Sequence, residues 1–114
     1  MKRPSEAELL RIFIGEADKF KGKPLYEVIA NLAHRKGMAG ATVIRGLMGF
    51  GAHSSMHTAK ILRLSEDLPI IIEIVDEPEK IKALLPELDK MITEGLVTLE
   101  KIRVIAYRYN SDGN

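Results

Sequence analysis

Two histidines, His53 and His57, stand four residues apart and bracket Ser54, Ser55 and Met56. On a helix that spacing would put both imidazoles on one face and make half a metal site. A closed zinc site wants four ligands, and no carboxylate or third histidine lies beside this pair, so they are weak metal candidates. Serines next to histidines also bring hydrolases to mind. No nucleophile-elbow pattern surrounds them, and no acid is placed to orient a base, so the sequence does not read as an enzyme. Met48, Phe50 and Met56 lie on the same glycine-rich stretch as the histidines. Soft apolar side chains there suit either a docking surface or packing into the core.

The whole chain narrows these readings. Its 114 residues are one domain's worth, 46% hydrophobic and 29% charged, enough for a packed core. Seventeen Lys and Arg against sixteen Asp and Glu leave a net charge of +1, which gives no general field for nucleic acid. A sheet that binds RNA would also want an aromatic pair of the RNP kind, which is missing here. With no cysteine there is no disulfide framework, no thiolate nucleophile and no Cys-ligated metal. No secretory signal is visible at the start, and no run approaches the roughly 20 apolar residues that span a bilayer. A cytoplasmic protein without direct membrane insertion is expected.

The elements that must carry these residues follow from periodicity. Residues 9–14 read as a strand, and residues 15–23 as a connection with two glycines. Pro24 opens a helix whose Leu25, Val28, Ile29, Leu32 and Ala33 share one face, and Gly37 stops it. Residues 41–48 give a second strand, which the following glycines break. Residues 60–64 read as a short strand or loop arm. Residues 69–75, with Ile70, Ile71 and Ile72 consecutive, read as a strand buried on both faces. Asp76 and Glu79 have the spacing of a capping box for a second helix, with Pro86 expected to kink it. Residues 96–109 form a last long strand, and 110–114 a frayed tail. The order β-α-β-β-α-β predicts a ferredoxin-like α+β fold in a single domain, an antiparallel sheet with both helices on one face. The first and third strands should be central.

Alternation divides each strand between two faces. Leu10, Ile12, Ile14, Ile70, Ile72, Ile74, Ile102, Val104 and Ala106 form an apolar set that belongs under the helices. The opposite set includes Phe13, Ile71, Val75 and Ile105, with Arg11, Glu73 and Arg103 between them and Arg45 within reach. Leaving four such apolar side chains in water would forfeit roughly 6–12 kcal/mol, which is the scale of a small domain's whole stability. Another copy of the chain is therefore expected to cover that face, with Glu73 paired to at least one arginine near the interface.

Arg45-Gly46-Leu47-Met48-Gly49-Phe50-Gly51, the loop with His53 and His57, and the run from Asp67 to Asp76 resemble a widespread uncharacterised family of small prokaryotic proteins. That family is similar to the P-II nitrogen-regulatory proteins and, more distantly, to CutA. The resemblance covers nearly the whole chain. It implies a homotrimer with its sheets facing inward and ligands held in clefts between subunits. It implies that Gly46, Gly49, Phe50 and Gly51 form the base of a ligand-holding loop, where glycine lets backbone N–H groups approach a phosphate. Lys60, Arg103 and Arg108 would supply positive charge. The flexible loop, residues 50–58 with His53, Ser54, Ser55, Met56 and His57, would contact a partner, by resemblance a membrane transporter or an enzyme. The sequence departs from P-II at the turn before the last strand, where Thr93-Glu94-Gly95-Leu96 replaces Gly-Asp-Gly-Lys. The expected ligand is thus a small anion, with an adenine nucleotide as candidate and no cofactor assigned. The alternative is a CutA-like trimer binding divalent metal through His53 and His57.

Overall fold

The structure is a computed structural model that describes residues 5–50, 57–58 and 67–110. Strand β1 (Ser5–Gly15) is followed by a small hairpin, β2 (Lys19–Phe20) and β3 (Lys23–Pro24), and then helix α1 (Leu25–Arg35). Strand β4 (Gly40–Arg45) comes next. A two-residue ladder, β5 (Met48–Gly49) with β6 (His57–Thr58), then precedes β7 (Pro69–Asp76), helix α2 (Pro78–Met91) and β8 (Leu96–Val104). The four long strands form one antiparallel sheet in the order β4-β7-β1-β8. This is the expected α+β arrangement, with the first and third long strands in the centre.

The core lies between the helices and the two central strands. Leu10, Ile12, Ile72 and Ile74 are fully buried against Ile29 of α1 and Ile81, Leu84 and Leu88 of α2. Each such side chain is worth roughly 1.5–3 kcal/mol on burial, so this layer dominates the stability of the chain. Helix α1 ends as its residues foretell: Gly37 takes a φ of 71°, and Met38 N–H donates to the Ala33 carbonyl.

Several boundaries differ from expectation. Helix α2 runs through Pro86 without ending there. Pro86 and Lys82 are both exposed, so the carbonyl that loses its donor meets water. Asp76 does not cap α2. Glu77 is the N-cap residue and makes no side-chain cap bond, while the Asp76 carboxylate accepts from Glu77 N–H at the start of α2 and from Ala39 N–H after α1. Strand β8 stops at Val104 rather than Tyr109, and β4 stops at Arg45 rather than Met48.

The face assignment also changes at both edges. Phe13 faces Leu96 in the β1–β8 register, so Ile102 and Val104 share a side with Arg11 and Phe13, while Arg103 turns to the helix side opposite Glu6. Ala106 and Ile105 lie beyond the strand. Arg45 pairs in register with Ile70 and so leaves the outer face; Thr42 and Ile44 take that face in β4 instead. The helices cover the edge strands only partly. All six β4 residues are exposed, and apolar side chains consequently occupy both phases of β8.

Candidate functional site

On the face away from the helices, the register stacks side chains in rows across all four strands. Ile44, Ile71, Phe13 and Leu96 form one continuous apolar row. Ile44 and Leu96 at its ends are exposed, 41% and 56%, while Ile71 and Phe13 are half-buried. The next row is polar: Thr42, Glu73, Arg11 and Thr98. The third is Gly40, Val75, Leu9 and Glu100. Arg11 ties the last two together. Its Nε donates to Glu73 Oε2 at 2.9 Å and its Nη1 to Glu100 Oε1 at 3.0 Å. The hydrogen bond to Glu73 is the main cause of a raised Arg11 pKa; burial pulls it down, and the attraction of both carboxylates adds to the rise. The Glu73–arginine pair expected from the sequence is therefore present, with Arg11 as the partner.

The second region is the base of the long loop. Gly46 N–H donates to the Pro69 carbonyl at 2.7 Å, continuing the β4–β7 ladder by one bond. A Cβ on Gly46 would lie 2.7 Å from Pro69 Cγ, and one on Gly49 would lie 3.1 Å from it. Glycine at these two places thus has a packing cause: the chain wraps the Pro69 ring. Residues 47–50 then present Leu47, Met48 and Phe50 to solvent. Beside this base the Arg45 guanidinium donates to the Glu16 carboxylate. Glu16 N–H in turn donates to the Leu68 carbonyl, and Asp67 Oδ1 accepts from Ala17 N–H at 2.7 Å, so the end of β1 is fastened to the start of β7.

Arg103 and Arg108 do not join this region within one copy. Arg103 lies opposite Glu6, eight residues along β1 from Ile14, and on the far edge strand. At roughly 3.4 Å per residue and 4.8 Å per strand, that is about 30 Å from Gly46. Arg108 follows the end of β8 and is exposed. Gly51, His53, Ser54, Ser55, Met56 and Lys60 lie outside the described residues; so does the side chain of His57, whose backbone pairs with Gly49. Among the described residues no three His, Cys, Asp or Glu groups converge on a metal position. A hollow of about 550 Å3 opens between α2 and β8, lined by Leu85, Leu88, Ile92 and Val97. Asp89 is its one charged lining group, so its sign is wrong for an anion.

The fold and both regions can be set beside known proteins. Residues 7–104 match the DUF190 model, whose description is "Uncharacterized ACR". The chain belongs to the DUF190 family. It is 42% identical over 103 residues to a UPF0166 protein of Aquifex aeolicus, covering 90% of this chain and 97% of that one. Its fold is that of PII-like proteins. CPII, a nitrogen regulatory PII-like protein from Thiomonas intermedia K12 solved with ADP, AMP and bicarbonate, superposes with a TM-score of 0.64. That match is at 24% identity and covers 91% of this chain and 92% of CPII. CutA1 from Oryza sativa is more distant, with a TM-score of 0.55, 10% identity and coverage of 90% and 82%. No described helix of this DUF190 chain is long and apolar enough to cross a membrane.

Two participants escape a reading of the sequence. Glu100 joins Arg11 from a strand 89 residues away, and Glu16 meets Arg45 across 29 residues. Neither pairing has a local signature. The Arg11–Glu73 bond gives a direct expectation. Glu73→Ala removes the main partner of Arg11 on the face proposed to be covered, leaving a charge that becomes costly once buried. Sedimentation velocity should show weakened assembly; an unchanged profile together with an unchanged Tm would refute a role for the pair at an interface.

Proposed function

We propose that this chain is a PII-like regulatory protein. Three copies cover one another's outer sheet faces, a small anionic ligand enters the clefts between them, and the loop at residues 50–58 carries the ligand state to a partner protein. The observation that carries the reading is the apolar row Ile44–Ile71–Phe13–Leu96 lying open across the whole sheet. Fully burying four such side chains is worth roughly 6–12 kcal/mol. All four are already partly covered, so assembly would gain about a third of that per copy. A monomer has no use for such a face.

The ligand class rests on likeness and on charge. CPII is solved with ADP, AMP and bicarbonate, all anions. The loop base in this chain offers a guanidinium, Arg45, next to the segment whose state would be read out. An adenine nucleotide is the first candidate and bicarbonate the second. Order–disorder of a loop is an established way to pass such a signal on. The partner, a membrane transporter or an enzyme, and a cytoplasmic location belong to the same proposal. The role is binding rather than catalysis.

Isothermal titration of the assembled protein with ADP, AMP and bicarbonate tests it, alongside sedimentation equilibrium for the mass. A particle of three copies that binds at least one of them at millimolar concentration or below supports the reading. A single-copy particle, or a folded trimer that takes up none of the three, sinks it.

A further inference from the structure

We propose that Arg45 is the receptor for the ligand's oxyanion and that Glu16 is an internal competitor occupying it in the free protein. This rests on the reading of the chain as a sensor of small anions and names the residue that would do the sensing. Arg45 is the last residue of β4, with its backbone fixed opposite Ile70. The next residue, Gly46, is tied to the Pro69 carbonyl. The guanidinium thus projects from a rigid anchor at the point where the loop leaves the sheet. Its side chain is 61% exposed, and among the described residues Glu16 is its one ion-pair partner. A guanidinium has five donors arranged as a fork that fits two oxygens of a phosphate or a carboxylate. Glu16 engages Nη2 alone, so among the described residues no carboxylate takes up the rest of that fork.

The weakness of the pair is what suits it to a switch. Exposed ion pairs contribute little to stability. An incoming oxyanion can therefore replace Glu16 without unfolding anything, and the carboxylate it displaces is free to move into water. Glu16 is itself only 25% exposed, and its backbone is held to Leu68. Its release would be felt at the junction of β1 and β7 beneath the loop.

The test compares Glu16→Gln and Arg45→Gln with the unaltered protein. ADP and sodium bicarbonate are used as separate probes in isothermal titration, with far-UV circular dichroism and Tm as checks on folding. Removing the competitor should tighten binding of the effective probe about two- to fivefold, the scale of one exposed ion pair. Removing the guanidinium should weaken it by about tenfold or more, the scale of a hydrogen bond to a charged group. Arg45→Lys, which keeps the charge but loses the fork, should fall between. Whichever probe shows this pattern identifies the source of the oxyanion. If the unaltered protein binds a probe and neither Glu16→Gln nor Arg45→Gln changes its affinity, this assignment is overturned while the sensor reading stands. If Arg45→Gln binds as tightly as the unaltered protein while Glu16→Gln binds more tightly, the guanidinium is not the receptor and the assignment is overturned. If none of the folded variants binds either probe, both fail.

Discussion

Phe13→Asp should give a folded chain that sediments as a single copy. Phe13 sits in the interior of the apolar row, between Ile71 and Leu96, and on the side of β1 away from Leu10, Ile12 and Ile14. The core beneath the helices is therefore untouched by the change. Within an assembly the new carboxylate would be taken from water with no cation in its own row, which costs several kcal/mol. The ring is already half-buried in a single copy, so its lost interface burial adds only about 1 kcal/mol. Even a total of about 4 kcal/mol would weaken association about a thousandfold. Analytical ultracentrifugation at micromolar concentration reads this directly. Ligand binding should disappear with the clefts. Retention of the assembled mass by a folded Phe13→Asp protein would show that the copies meet elsewhere, and the proposed function would need a different interface.

The same row shows what a sequence can and cannot display. The central strands were legible because Ile70, Ile72 and Ile74 alternate against Ile71, Glu73 and Val75, and the helices bury one phase completely. That Glu73 meets an arginine followed from that phase; that the arginine is Arg11, and not Arg103 or Arg45, follows from the strand register. At the edges the contrast fades. Leu96 and Ile102 face outward in β8, while Val97 and Leu99 face the helix side yet stay 43% and 49% exposed. Where both sides are half-wet, selection does not write an alternation, and the phase of Ile102, Val104 and Arg103 is set by the pairing with β1 instead. Arg45 moved from one face to the other for the same reason. The loop glycines illustrate a second limit. Glycine at 46 and 49 reads equally as room for a phosphate or room for a neighbouring side chain, and only the register shows that Pro69 is the neighbour. Contacts such as Glu16–Arg45 join elements whose separation in sequence carries no period at all.

Asp76 is the strongest case of a residue whose role lies in distant partners, and Asp76→Ala should destabilise the fold more than Glu73→Ala or Arg45→Gln does. The residue is only 4% exposed. Its Oδ2 accepts from Ala39 N–H at 2.8 Å, its Oδ1 accepts from Glu77 N–H at 2.6 Å, and Lys80 Nζ lies 3.7 Å away while donating to the Gly37 carbonyl. One carboxylate thus fastens the turn after α1 to the end of β7 and the start of α2. Ala39 is held on its other side too, since its carbonyl accepts from Tyr107 Oη–H at 2.8 Å. Removing the carboxylate loses two charge-assisted bonds and strands a half-buried N–H, a cost of about 2–4 kcal/mol. For a domain of this size the corresponding fall in Tm is about 10 °C or more. Asp76→Asn keeps one acceptor oxygen and should lose about half as much. Lys80→Ala, which removes a half-exposed ammonium and its exposed bond to the Gly37 carbonyl, should cost about 1 kcal/mol, less than Asp76→Ala. The consequence reaches the loop, because Ala39 precedes Gly40, the first residue of β4, whose far end holds Arg45 and Gly46. Hydrogen exchange should therefore quicken along β4 in Asp76→Ala more than along β8, which Asp76 does not touch. Equal quickening of both strands would mean that the carboxylate supports the fold as a whole rather than the seating of the loop-bearing edge.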